Sequence, residues 1–437
     1  MEWAVIAAFC AVLLLCIAFD VSILFALLFG LSLFMLYGRQ KGFSWRQLFH
    51  MALNGTKTIN TLLITFLLIG IMTAFWRASG TISFIVCYAS KLIRPSIFLL
   101  MTFLLNCAMS FLTGTSFGTA ATMGVVCATM ASALGISPVL TGGSILSGVF
   151  FGDRCSPVST SALLVSTLTC TDIYGNIRLM LRSALIPFIL TCLIYLFLGL
   201  KVHGKEAVPD LEALFSREFY MSWTVLIPAL VILILSFFRV NVKLSLSASI
   251  LSAIPICLVV QGIPFSELIR IAILGFYPQN SDVAAMISGG GLVSMLKVAT
   301  VVLLSSSYVD ILKESGLLDG IKLKIAHLSR VSSPLAATLL TSAVSGMIAC
   351  NQTLAILLTN QLCKGEYQDN VRFANDLEDT AVVVAPLIPW SIAGAVPLAT
   401  VGAPTAAILA SFYLIILPLY RLTLSIISHQ LLSGFKE

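Results

Sequence analysis

Long apolar runs separated by short polar turns set the rhythm of this chain. No two-residue alternation of the kind half-buried strands need is present, so helices are predicted throughout. Two runs open it, Trp3–Phe19 and Val21–Tyr37, hinged at Asp20. A basic connection follows (Arg39, Lys41, Arg46, His50), then a span from about Ile59 to Trp76 and an amphipathic stretch ending in Lys91 and Arg94. The start signal Arg94-Pro95-Ser96 leads into Ile97–Leu112, which meets polar Thr113-Gly114-Thr115-Ser116-Phe117-Gly118-Thr119 and resumes as Ala120–Leu134. Beyond Gly135-Ile136-Ser137-Pro138, the apolar Val139–Phe151 and Ala162–Leu168 flank a polar decapeptide, Gly152–Ser161. Ser183–Leu200 closes this half, and a charged segment from Lys201 to Glu218 follows.

The decapeptide organises the rest. Each flank is about half of the roughly 20 apolar residues that a helix needs to cross a bilayer. A carboxylate, a guanidinium and several hydroxyls at that depth are costly unless they face protein, water or a bound solute. Two half-helices meeting at a polar break near the midplane are the pattern of a transporter site.

The second half repeats the plan. Ser222–Phe238 and Leu244–Val260 form another pair of runs, hinged at Arg239–Lys243. Gly262-Ile263-Pro264-Phe265-Ser266-Glu267-Leu268-Ile269 is similar to Gly42-Phe43-Ser44-Trp45-Arg46-Gln47-Leu48-Phe49, and Ala78-Ser79-Gly80 recurs as Glu314-Ser315-Gly316. Sliding on without gaps sets Thr113-Gly114-Thr115-Ser116 on Ala349-Cys350-Asn351-Gln352; further on, Asp153 with Ser156-Pro157 is set against Glu378-Asp379 with Ala385-Pro386. The expected fold is therefore an all-α polytopic membrane protein of two inverted-topology repeats with discontinuous helices and about ten spans. Residues 1–200 form the first repeat, 201–221 a polar linker and 222–437 the second repeat. The basic Arg39–His50 loop against the near-neutral Glu267–Asp282 segment favours inversion, whereas Arg77, Lys91 and Arg94 speak against it.

Composition agrees. Of 437 residues, 59% are hydrophobic and 10% charged, where a soluble chain carries about 25% charge, and the mean hydropathy is +1.03. The net charge of +6 fits basic cytoplasmic loops; no contiguous basic face with aromatics points to nucleic acid. Eleven cysteines show no pairing or metal spacing and sit mostly in apolar runs, as small hydrophobes. The first run has no basic region ahead of it and reads as a retained span. No phosphate-binding loop for ATP is present.

Four polar clusters carry candidate chemistry. Thr113–Thr119 contains a G-x-S-x-G match, Gly114 to Gly118, but that motif needs a strand-to-helix turn and His and Asp partners. The four histidines (His50, His203, His327, His429) lie near loops or the terminus. Small-residue helix packing or hydroxyls and carbonyls that coordinate a solute or cation are the remaining readings for Thr113, Thr115 and Ser116. In Gly152–Ser161, Asp153 either pairs with Arg154 at an interface or is a midplane cation or proton ligand. Ser156, Ser159 and Thr160 then complete an oxygen cage, and Pro157 frees a carbonyl one turn earlier. Asn351 and Gln352 either join helices or face the first break across the site. Glu378 and Asp379 either share a proton or lie solvated in the charged loop from Lys364 to Arg372; Pro386 and Pro389 must interrupt any helix that follows.

At these residues the chain resembles the NhaC-type Na+/H+ antiporter family of bacterial inner-membrane transporters. The resemblance rests on Thr113–Thr119, on Gly152-Asp153-Arg154-Cys155-Ser156-Pro157-Val158-Ser159, on Leu377-Glu378-Asp379-Thr380 and on Ala385–Trp390, in order, from about Leu62 to Pro404. Where the family usually has G-D-K-x-S-P-L-S-D-T-T, this chain has Thr160, Ser161 and Ala162 in place of the last three. Its frequent G-D-Q is Cys350-Asn351-Gln352, and its P-W-N-T is Pro389-Trp390-Ser391-Ile392. Two expected carboxylates are thus absent, one from each half.

The resemblance implies a secondary transporter that exchanges Na+ and H+ by alternating access in the inner membrane. It implies no enzyme activity and no resident cofactor, with Asp153 as the expected Na+ ligand. The site is expected from Thr113, Thr115, Ser116, Asp153, Ser156, Ser159, Thr160, Asn351, Gln352, Glu378, Asp379, Trp390 and Ser391. Its partners are the lipid bilayer and a small ion or solute, not nucleic acid, and assembly as a homodimer is left open. An ion-coupled carrier of a small organic acid or amino acid stays as an alternative, favoured by the hydroxyl and amide replacements. A channel or non-transporting membrane protein is a third.

Overall fold

The computed structural model describes residues 2–19, 21–57, 60–92, 94–201, 211–238, 240–315, 329 and 332–434. Asp20, residues 202–210 of the linker with His203, Arg239, Gly316 and His327 lie outside the described residues. The first part holds α1 (Glu2–Ala18), α2 (Ile23–Gln40), α3 (Trp45–Lys57), α4 (Asn60–Ala78), α5 (Thr81–Leu92), α6 (Phe98–Thr113), α7 (Ser116–Ala133), α8 (Pro138–Cys155), α9 (Thr160–Thr169) and α10 (Ile173–Lys201). After the short α11 (Leu211–Phe215) come α12 (Ile227–Phe237), α13 (Val242–Val260), α14 (Phe265–Leu274), α15 (Ser281–Ile287), α16 (Gly291–Ser307) and α17 (Val309–Glu314). The chain ends with α18 (Pro334–Ala349), α19 (Gln352–Cys363), α20 (Asn370–Asp379), α21 (Ala381–Val384), α22 (Ile392–Thr400) and α23 (Phe412–Gly434). Among the described residues there is no strand, only an isolated bridge between Phe276 and Gly289.

The fold is that of an all-α polytopic membrane protein. Six of these helices are long and apolar enough to cross a bilayer. Two bent pairs, Leu63–Ala78 with Thr81–Tyr88 (65°) and Asn370–Leu387 with Ile392–Thr400 (55°), make eight if each is one span. Shorter apolar helices include Thr160–Thr169 and Pro334–Ala349. Along α10, Leu185, Ile189, Leu193 and Phe197 are all exposed, a surface that water penalises and lipid tails accept.

Sequence signals explain the ends. Pro138 and Pro334 open α8 and α18 behind Ser137 and Ser333, positions where a missing N–H costs nothing. Two expectations change. The connection after α2 is not all loop: its second part starts α3, an amphipathic helix whose Leu48 is fully buried. A Cβ on Gly55 there would stand 2.2 Å from the Ser306 carbonyl oxygen of α16, so α3 is held in close contact. The polar break is also shorter than the decapeptide, since α8 carries on through Cys155 and α9 begins at Thr160.

The most extensive helix contact joins α6 to α8. Gly148 and Gly152 stand one turn apart on α8, and a Cβ on Gly152 would lie 2.2 Å from the Phe111 backbone nitrogen. One on Gly148 would meet the Phe103 carbonyl oxygen at 2.7 Å. The two backbones therefore touch, as small residues permit in membrane helices. Ser110 donates its hydroxyl hydrogen to the Val149 carbonyl, and Ser156 does the same to Phe111 at 2.6 Å.

Gly152→Ala must push two backbones apart, an overpacking expected to cost about 1–3 kcal/mol. Thermal unfolding of the detergent-solubilised protein should show a clear drop in midpoint. Gly175→Ala, where the nearest atom is Asp172 Oδ2 at 3.4 Å, should show almost none.

Candidate functional site

Two turns of the same design frame the site. Helices α6 and α18 are each 16 residues long. Each ends on a left-handed residue, Gly114 (φ 64°) and Cys350 (φ 53°). In each the chain re-enters helix two positions later, beneath a side-chain cap. Thr115 accepts from the Gly118 N–H at 3.3 Å, and Asn351 accepts from the Thr353 N–H at 2.8 Å. The Tyr308 hydroxyl lies 3.1 Å from Cys350 Sγ. After the first turn, hydroxyls bond back to carbonyls one turn earlier: Thr119 donates to Thr115 O and Thr122 to Gly118 O, each at 2.8 Å. The G-x-S-x-G match thus sits at a helix-to-helix junction, where the nucleophile motif has no meaning.

Asp153 occupies the last turn of α8. Pro157 has no N–H for the Asp153 carbonyl, and the Ser161 hydroxyl donates to it instead, at 3.2 Å. The carboxylate is 3% exposed. It accepts from Ser159 Oγ at 3.1 Å, Ser161 Oγ at 3.3 Å and, from the other half of the chain, Gln352 Nε2 at 3.3 Å. Ser159 also caps α9. In front of Asp153 lies a cavity of about 440 Å³ whose wall holds Thr113, Thr115, Ser116, Thr160 and Gln352. Six of the predicted residues, Asp153 included, therefore converge.

The same wall contains Asn241, Lys243 and Ser245, which sequence reasoning missed. Their stretch reads as a hinge between two runs, where a lysine is ordinarily solvated. The available signal was Asn241 as a helix cap before an apolar run, and its side chain does accept from the Lys243 N–H at 2.9 Å.

Arg154 faces away from Asp153. Successive helical residues point about 100° apart, so the two do not pair, contrary to that alternative. Arg154, fully buried, binds Asp379 directly and donates to Ser183 Oγ at 2.8 Å, the Met180 carbonyl at 3.1 Å and the Tyr413 hydroxyl at 3.3 Å. Arg421 of α23 reaches Asp379 at 2.6 Å and Asp376 at 2.9 Å, and Asn375 donates to Asp379 at 2.9 Å. Glu378 and Asp379 are not solvated, being 1% and 0% exposed. Nor do they form a proton-sharing pair: among the described residues no hydrogen bond joins them, and neither oxygen of Glu378 has a hydrogen-bond partner. Neighbouring positions on α20 again point apart. Asp376 and Arg421 went unpredicted, although an arginine within the apolar run of α23 is a signal in itself.

Besides Ser159, Glu378 and Asp379, four predicted residues stand outside the cavity wall, three of them with structural hydrogen bonds. Ser156 ties α8 to α6, Asn351 caps α19, and Trp390 donates to the Met347 carbonyl at 2.9 Å. Trp390 also lines a separate cavity of about 530 Å³ with Lys297. Ser391 precedes α22 with a buried hydroxyl that has no partner among the described residues.

A sequence model of the Na+/H+ antiporter family matches residues 2–170 and 148–428. The malate-2H(+)/Na(+)-lactate antiporter of Bacillus subtilis is 27% identical over 408 residues, 90% of this chain and 87% of the relative. The Na(+)/H(+) antiporter NhaC of Alkalihalophilus pseudofirmus is 28% identical over 377 residues, covering 84% and 81%. The arginine/ornithine antiporter ArcD of Halobacterium salinarum is 29% identical over 395 residues, covering 86% and 80%.

Removing one member of a buried ion network strands the other. Asp379→Ala is therefore expected to cost about 3–5 kcal/mol, read as a lowered unfolding midpoint. Combining it with Arg154→Met should recover part of the loss, and a double variant no more stable than Asp379→Ala would contradict the pairing.

Proposed function

Because the chain belongs to the Na+/H+ antiporter family, and so is a secondary transporter rather than an enzyme or channel, we propose that it exchanges Na+ for protons at Asp153 by alternating access. The observation that carries this reading is a buried carboxylate, held from both halves of the chain, facing a polar cavity. Charge accounting supports it. Arg154 and Arg421 are matched by Asp376 and Asp379. Asp153 and Glu378 form no salt bridge among the described residues, and a buried carboxylate without a counter-charge is expensive. A bound Na+ or a proton relieves that cost.

At Asp153 the two compete for the same oxygens, so the site carries one or the other but not both, which is the requirement for antiport. The hydroxyls of Ser159, Thr160 and Ser161 supply further oxygens of the type that hard cations take. Glu378, two residues from the Arg421-bound Asp376 and so on nearly the opposite face of α20, serves as a second proton-holding group. The two repeats, 1–200 and 222–437, are inverted relative to each other about this site and joined by 201–221. They rock across it in the inner membrane, and Na+ is the coupling ion rather than a resident cofactor.

In proteoliposomes carrying a pH-sensitive dye, a Na+ gradient should drive proton movement that Asp153→Asn reduces to background. Glu378→Gln should slow it while leaving Na+ binding in place. Undiminished Na+-driven proton movement in the Asp153 variant would overturn the assignment.

A further inference from the structure

The cavity in front of Asp153 has a positive side as well as a negative one, which a bare cation does not explain. Lys243 stands half-buried in its wall, and among the described residues no carboxylate pairs with it. Helix α13 starts at Val242, capped by Asn241, so its positive dipole end opens at the same place. The starts of α7, α9 and α19 also border the cavity, at Ser116, Thr160 and Gln352. Ser245, one turn into α13 and 2% exposed, lies in this wall with a hydroxyl that has no hydrogen-bond partner among the described residues.

An ammonium group and several positive helix ends repel Na+ and attract an anion. We infer that the cavity takes a small carboxylate together with the cation. Its carboxylate group is bound by Lys243, the Ser245 hydroxyl and the start of α13, and its remainder points toward Asp153 and the Na+ there. Na+ and a carboxylate together offset Asp153 and Lys243, so each charged side chain of the wall meets an opposite charge while the net charge of the cavity is unchanged. A volume of about 440 Å³ lies within the ordinary range of small-molecule sites. The inference rests on the reading of this cavity as the transport site.

The test uses the purified full-length protein and three probes, L-lactate, L-malate and L-alanine, with lactamide as the uncharged control, in Na+ or K+ buffer. Binding is followed by calorimetry and thermal shift. At least one acid is expected to bind in Na+ while lactamide does not. Lys243→Gln should weaken that binding at least about tenfold, the scale of a lost charge-assisted hydrogen bond, and Lys243→Arg should restore most of it. Ser245→Ala should weaken it several-fold, and it serves as the second probe should the glutamine variant fail to fold. If none of the three acids binds, or if Lys243→Gln binds them as well as the unmodified protein, the inference is wrong. Protein that exchanges Na+ for protons in vesicles yet binds no acid sinks this inference and leaves the exchange reading intact. Protein that binds an acid through Lys243 but moves no protons sinks the exchange reading and upholds this one.

Discussion

Arg154 and Asp379 meet wholly out of contact with solvent, and the arrangement of the site depends on that meeting. A buried guanidinium needs acceptors for its donors, and here those for its two terminal nitrogens come from α10, α20 and α23, while Nε has no partner among the described residues. Such a network adds little net stability compared with apolar packing; its contribution is to make other arrangements of these helices costly. With Arg154 committed to one side of α8, the adjacent Asp153 points about 100° away from it, into the wall of the cavity. One ion pair thus fixes both the docking of the two halves and the direction of the carboxylate.

That division sorts the buried charges into two classes. Asp376, Asp379, Arg154 and Arg421 neutralise one another and hold helices. Asp153 is cradled instead by neutral donors, two serine hydroxyls and an amide. Neutral donors steady a carboxylate without satisfying its charge. The backbone contact between α6 and α8 at Gly148 and Gly152 keeps this last turn of α8 rigidly seated while the break beyond it stays polar.

Much of this was legible in the chain. Gly114 and Asn351 mark their turns because left-handed and capping positions demand such residues. Asp153 stands out because half-length apolar flanks place it at depth. What could not be read was partnership. Arg154 and Asp379 are 225 positions apart, and no local pattern says that Arg154 turns from its neighbour toward so distant a residue. Lys243 was hidden for another reason: a lysine between two apolar runs looks solvated until the fold brings a cavity to it. Trp390 and Ser391 stand in a motif that points to the site, yet Trp390 bonds to the last turn of α18 and its cavity is a different one.

The two matching turns are not energetically equal. Gly114 adopts its left-handed backbone freely, whereas Cys350 does so against the crowding of its own Cβ, at about 1–2 kcal/mol. A movement that relaxes the second turn is rewarded, and the corresponding movement at the first is not. An offset of that size shifts an equilibrium by roughly 5–30-fold. Two turns of near-identical build therefore differ in backbone strain, and the difference lies in a single thiol-bearing residue where its counterpart has only hydrogen.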